Sequence, residues 1–336
     1  MLFFLHCLQF VLTLHYTNLN LYIMTYKTTF KSHINIITTL FLAFLCASCE
    51  KAAISEDESN DNEKPQKGEI TVVFGTNDID NAFANEQYDS QQSRTTTPIK
   101  DLCTRINLAI YVSDDATKIK KIKSINQDKS DASFGQIKTS LAKGSYTIVV
   151  VAHNGEGNAT MTSPSEISFK DNKVTDTFYY YGNIEVDDNT KFDLTLKRAV
   201  AMVRLVVKDN TPTNIHNMKF YYTGGSSTFD ATTGYGCVNS RQTEIRTVPN
   251  SAYTSESTYD IYTFPKADNK KLKIVVSALE KASPSKATYG RTIDDVSIKR
   301  NYITRYSGYF YGEDPSTGRG FNMATDDEWQ YDDYEY

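Results

Sequence analysis

Residues 104–113 read TRINLAIYVS, and residues 145–153 read SYTIVVVAH. In the first stretch Ile106, Leu108, Ile110 and Val112 fall on one face of an extended chain, because side chains alternate with a period of two. The second follows Lys143-Gly144, a turn, and is apolar at nearly every position. Both are strand signals. Outward from them the same grammar repeats. Residues 69–75 (EITVVFG) alternate at Ile70, Val72 and Phe74. Further strands are expected over 177–181, 191–196, 199–208, 218–223, 259–264, 271–279 and 288–299. No long stretch carries a 3.6-residue period, so the expected class is all-β, built as β-sandwiches.

Length and composition agree with that class. The chain has 336 residues, 40% hydrophobic and 23% charged, with 23 Tyr, 17 Phe and a single Trp. Tyr and Phe suit pleated, half-buried surfaces. The net charge of −5 argues against nucleic acid as a partner, since phosphate binding needs a basic surface. The five His, at 6, 15, 33, 153 and 216, offer no i, i+4 pair for a helical metal site.

The N-terminus sets the compartment. Residues 34–45 (INIITTLFLAFL) are an apolar run preceded by Lys27 and Lys31 and followed by Cys46-Ala47-Ser48-Cys49. A short basic region, an apolar core and small residues before a cleavage point make a secretory signal. The run is too short for a membrane span of about 20 residues. Residues 45–49 (LCASC) resemble a bacterial lipobox, with cleavage between Ser48 and Cys49 and lipid, such as palmitate, on Cys49; an ordinary cleaved signal is the alternative. A complete signal begins at Met24, so residues 1–23 are expected to be an over-extended start, residues 24–48 the signal, and a genuine first apolar segment the rival. The mature chain would be 288 residues with a charge of −7 and three cysteines. With Cys49 acylated, Cys103 and Cys237 are left either as a disulfide or, the expected case, as two buried thiols.

Residues 49–68 are acidic and Ser/Asn-rich. They bury too little apolar surface to repay ordering, so a flexible tether is expected, either a plain linker or an export signal. Two sandwiches in series are expected at 69–197 and 198–330, meeting near Lys197-Arg198, with 331–336 as an acidic tail.

The order of elements is similar to that of the fimbrillin superfamily of Bacteroidales. The lipobox and acidic tether come first, then a strand, a loop with Ser93-Arg94 and a second strand. The runs 196–201 (LKRAVA) and 299–304 (KRNYIT) follow, then 326–329 (DDEW). The resemblance implies two transthyretin-like β-sandwich domains in series and a structural role in surface fimbriae at the outer membrane. It implies other fimbrial subunits as partners and adhesion to a host or bacterial surface ligand. It also implies proteolytic processing at Arg94. A cut in the polar loop 85–98 would free the first strand and open a groove for a strand from another subunit. Residues 320–336 offer Phe321, Met323 and Trp329 to such a groove, but the last eleven residues hold six acids, and a solvated tail is the expected reading.

No catalytic, cofactor or metal motif stands out. The chain lacks a G-x-S-x-G elbow, a P-loop and a dinucleotide fingerprint. The turn pairs Asp187-Asp188 and Asp294-Asp295 point their neighbours to different sides. Residues 302–311 (YITRYSGYFY) are expected to pack in a sheet; stacking on sugars would suit the alternative function, a monomeric glycan-binding surface lipoprotein. The expectation is a non-enzyme without cofactors.

Overall fold

A computed structural model describes residues 68–76, 79–80, 96–115, 118–188, 190–268, 270–282, 286–312 and 324–325. The first part of the chain contributes β1 (Glu69–Thr76), β2 (Ile79–Asp80), β3 (Thr96–Thr97) and the single turn of helix α1 (Ile99–Leu102). Next come β4 (Arg105–Asp115), β5 (Lys118–Asp128), β6 (Gln136–Ala142) and β7 (Gly144–His153). β8 (Thr160–Ser163), β9 (Glu166–Ser168), β10 (Thr177–Val186), β11 (Lys191–Leu194) and β12 (Lys197–Arg198) complete it. The sheet β11-β1-β6 lies over the sheet β12-β10-β7-β4-β5. Between them sits a core that includes Val72, Phe74, Ile106, Leu108, Ile110, Ile148, Val150 and Phe178.

The second part contributes β13 (Ala201–Val207), β14 (Ile215–Thr223), β15 (Phe229–Asp230), β16 (Tyr235–Gly236) and β17 (Arg241–Thr247). β18 (Ser257–Thr263), β19 (Lys270–Glu280), β20 (Ala287–Ile298), β21 (Ile303–Gly308) and β22 (Ala324–Thr325) follow. The sheets β18-β13-β21-β22 and β17-β14-β19-β20 enclose a second core that includes Val203, Leu205, Phe220, Tyr222, Ile261, Ile274 and Val276. The fold is all-β and sandwich-like, and the alternation read for β1, β4 and β13 points Val72, Leu108 and Leu205 inward as expected.

A third cluster joins the two. Ala109, Tyr111, Val149 and Val151, on the opposite face of β4 and β7, pack with Phe169, Ala199, Val200, Phe229 and Phe264. β4 and β7 are therefore covered on both faces. That explains the unbroken IVVVA of β7, since a strand buried on both faces does not alternate. Phe264 stacks on Phe169 at 5.5 Å and meets Phe229 at 5.1 Å, and Phe229 meets Tyr179 edge-on at 4.7 Å.

Three of the longer strands, β5, β6 and β17, escape the sequence pattern, as do short ones such as β8, β9, β15 and β16. The β4–β5 ladder shifts register twice, with Ile122 the extra residue in β5 and Asp114 the extra residue in β4, and the bulge at Ile122 switches the face of the β5 side chains. β6 turns Ile137 and Leu141 inward, too sparse a signal in so short a run. β17 inverts the pattern: Gln242 and Glu244 are buried while Ile245 is 55% exposed. Other strands differ in extent; β10 runs on to Val186 and β11 stops at Leu194.

Phe264→Ala should remove about 3 kcal/mol of unfolding free energy, the usual cost of a large aromatic deleted from a core. Ile245→Ala, at an exposed position, should change it by about 0.5 kcal/mol or less. Denaturant unfolding followed by circular dichroism checks both; equal effects would argue against the shared seam.

Candidate functional site

The first strand is the site that the sequence singles out, and its place in the sheet gives it consequence. β1 is the middle strand of three. It runs antiparallel to β6, from Glu69 opposite Ala142 to Gly75 opposite Gln136. On its other side it runs parallel to β11, from Val73 opposite Lys191 to Thr76 opposite Leu194. Val72 and Phe74 fill the core, and Phe74 stacks on Phe192 at 5.7 Å. Without β1, two backbone edges would be unpaired and two alternate pockets empty. β2 and β3 pair Ile79 with Thr97 and Asp80 with Thr96. The segment between them carries Arg94, which lies outside the described residues, as do Ser48 and Cys49.

The runs at 196–201 and 299–304 meet in space. Arg198 donates to both oxygens of Asp176 at 2.8 and 2.9 Å, and to Asn301 Oδ1 at 3.1 Å. Its guanidinium lies over the Phe178 ring at 4.8 Å. The Asn301 backbone N–H donates to Val200 O at 2.8 Å, and that of Met202 to Tyr302 O at 3.1 Å. Asn301 has φ 61°, a left-handed conformation that Asn tolerates better than most residues. Arg300 donates to Gly234 O at 2.9 Å and to the Tyr179 hydroxyl at 3.2 Å, and stacks over Tyr235 at 4.7 Å. Gly234, at φ 77°, is required there, because a Cβ would collide with the Arg300 guanidinium and the Tyr179 hydroxyl. These runs are the polar frame of the seam. Asp176 and Gly234 gave no sequence signal.

His153, buried at the seam, is structural in its contacts. Its Nε2 lies 3.1 Å from Asn107 Oδ1, and its Nδ1 accepts from the Gly155 N–H at 3.0 Å. Asn107 Oδ1 also accepts from the Ala159 N–H at 3.0 Å. This arrangement fixes the neutral Nε2–H tautomer. Burial, reinforced by the charge of Arg105, lowers its pKa to about 4.

Cys103 is buried and Cys237 exposed, and neither forms a disulfide, which corrects the expectation that both thiols are buried. Tyr306 and Phe310 of the 302–311 run point into the second core. Among the described residues no three His, Cys, Asp or Glu side chains are grouped to hold a metal ion, and no helix is long and apolar enough to cross a membrane.

The arrangement is that of an all-β sandwich protein whose first strand closes its first core. The family model described as fimbrillin-A associated anchor proteins Mfa1 and Mfa2 matches residues 87–305, well over half the sequence. The chain belongs to this family, which is fimbrillin-like and fimbria-associated. Among solved structures it is similar to a candidate polysaccharide-binding protein of Bacteroides thetaiotaomicron, at 10% identity and a TM-score of 0.46, covering 76% of this chain and 95% of that one. It is also similar to a candidate adhesin of Bacteroides ovatus, at 8% identity and a TM-score of 0.46, covering 77% and 96%. A candidate cell adhesion protein of Bacteroides ovatus shows 14% identity and a TM-score of 0.42, covering 76% and 95%. No curated protein sequence matches the chain.

The depressed pKa of His153 sets a pH window. The unfolded chain takes up a proton near pH 6.5 that the folded chain refuses until about pH 4, so stability is lost as pH falls through that interval and is flat above it. His153→Gln should flatten the loss by up to about 1.4 kcal/mol per pH unit. Urea midpoints measured across the interval check this; an unchanged slope would assign the titration to another group.

Proposed function

We propose that the protein is a structural component of surface fimbriae, exported as a lipoprotein, held at the outer membrane through Cys49 and contributing to cell adhesion. Its partners are other fimbrial subunits, and its role is non-enzymatic. Residues 69–197 and 198–330 act as its two sandwich domains. One observation carries the reading: β1 begins twenty residues after Cys49 and is the middle strand of its sheet. A lipid at Cys49 would thus be tied to a strand hydrogen-bonded on both sides. Pulling on the tether would load both ladders along their length rather than peel an edge. The intact chain suits an anchored state, in keeping with its family.

A cut after Arg94 would convert that state. The fragment would keep β1 and the lipid but lose its covalent link to β4. Before the cut, the effective concentration of β1 at its own groove excludes a donor; afterwards β1 can leave and a donor strand can enter. Release from the membrane and exposure of the groove would be one event.

Two measurements test the reading. Cys49→Ala should abolish retention by membranes, and unchanged retention would end the lipoprotein proposal. Limited trypsin treatment of the folded protein should cut after Arg94 and release the body, read by mass spectrometry and sizing. If Arg94 resists while Lys51 and Lys67 in the tether are cut, the release step fails and the chain remains an uncut anchor.

A further inference from the structure

Where the chain enters and leaves the first sandwich decides how that sandwich bears tension. β1 enters at Glu69, opposite Ala142. Lys143 alone separates Ala142 from Gly144, where β7 begins opposite Val186. The chain leaves at the other end. Thr76 and Leu194 are level, Leu196 then enters the core, and Arg198 lies opposite Phe178. The Ala199 N–H donates to Thr177 O at 2.8 Å, and Thr177 lies opposite His153, the last residue of β7. Entry and exit are thus separated by the ten residues of β7, about 30 Å.

The pairing of β1 matches this layout. Its neighbour β11 is parallel to it, and β11 is the strand that runs on into the exit. The Val73 N–H donates to Thr190 O at 2.7 Å, and Phe74 stacks on Phe192 at 5.7 Å across the same ladder. On its other side β1 pairs with β6 over seven residues. Arg198, held by Asp176 and Asn301, pins the exit, so load from the second half reaches β11 along its axis.

A pull on the N-terminal end of β1, resisted from the second half, draws β1 and β11 past one another. One strand is loaded at its N-terminal end and the other at its C-terminal end. The bonds of both ladders then share the load and must yield together. A pull applied just past Thr76 acts instead on the end level with Leu194. There the load falls on one rung at a time, beginning with Thr76, whose N–H and Oγ1 donate to Gly135 O at 2.9 and 3.1 Å. Forced unfolding is governed by the unfolding rate along the pulled direction rather than by the equilibrium free energy, so the same ladders can resist one pull and yield to the other.

We propose that β1 is a directional tension clamp, which holds when the chain is drawn from the tether side and peels when it is drawn from the segment that follows β1. This deepens the anchored reading, by naming what keeps the strand seated and what unseats it. The clamp is a property of the fold and needs neither a lipid at Cys49 nor a cut after Arg94.

Single-molecule pulling of the full-length chain tests it, with DNA handles attached at residues 67 and 210 or at residues 77 and 210 through genetically encoded reactive side chains. Asn210 is exposed just past β13. At one loading rate the first arrangement should rupture at about twice the force of the second, or more. The length of chain released, residues 68–98 in the first case and 78–98 in the second, identifies the event. Phe192→Ala, which takes the stacked ring from β11, should lower the first force more than the second. Ile274→Ala, in the second core, should lower the unfolding free energy and leave both forces unchanged. Equal forces in the two arrangements, or a higher force from residue 77, overturn the proposal. So does a fall in both forces with Ile274→Ala, since rupture would then follow overall stability rather than direction. Cys49→Ala should leave both forces unchanged, and a failed clamp leaves membrane retention through Cys49 untouched, so this proposal and the lipoprotein proposal fail separately.

Discussion

The structure depends on the double burial of one sheet. β4 and β7 turn Leu108, Ile110, Ile148 and Val150 towards the first core, and Ala109, Tyr111, Val149 and Val151 towards the seam. Fully burying a large aliphatic or aromatic side chain contributes about 1.5–3 kcal/mol, so a face of this kind cannot be left in water without a heavy loss. The later strands supply its cover through Phe229 and Phe264. The order of events along the chain follows: Leu196 closes the first core, Ala199 and Val200 enter the seam, and Ala201 opens the second core. Six residues thus pass through three apolar environments, which leaves no room for a linker.

The polar frame around the seam works on a different principle. A buried ion pair such as Arg198 with Asp176 gains little net stability, because desolvating both groups costs about as much as their attraction returns. Its geometry is nonetheless exacting. A guanidinium held by two carboxylate oxygens, an Asn oxygen and an aromatic face admits one orientation. The apolar seam alone would tolerate sliding, as packed flat surfaces do. The Arg198 and Arg300 contacts fix the register of the second half against the first, with Asn301 and Gly234 supplying the backbone conformations that let the guanidinium groups reach.

β1 was legible because it buries one face, with Val72 and Phe74 in the core and Ile70 partly buried beside them; β4 was legible because the large apolar Ile106, Leu108 and Ile110 alternate with Asn107 and Ala109 on its other buried face. β17 was not, because its inward positions are Gln242 and Glu244, matched to Thr263 and Arg246 by hydrogen bonds and charge rather than by hydrophobicity. β5 was not, because its bulge at Ile122 breaks the period. The candidate site was legible in part. The runs around Arg198 and Arg300 stood out by their order in the chain, but their meeting joins residues 103 apart, and no local pattern encodes such a contact. Asp176 is an ordinary acid in a turn until the fold brings Arg198 to it.

The division of labour between the cores bears on whether the first strand is exchangeable. β1 contributes Val72 and Phe74 to the first core and nothing to the seam or to the second core. The seam face of β4 and β7, the aromatic stack and the Arg198 and Arg300 contacts are all made without it. Loss of β1 would therefore fall on one apolar layer and two ladders of hydrogen bonds, while the docking of the two halves would keep every contact it has. Only another extended segment with apolar side chains two residues apart could repair such a loss, since the empty places alternate along a strand and both flanking edges demand main-chain partners. A strand at the edge of its sheet would leave one ladder open and bind its replacement weakly. The same strand in the middle holds tightly while in place and leaves a vacancy that only a strand of matching pattern can fill.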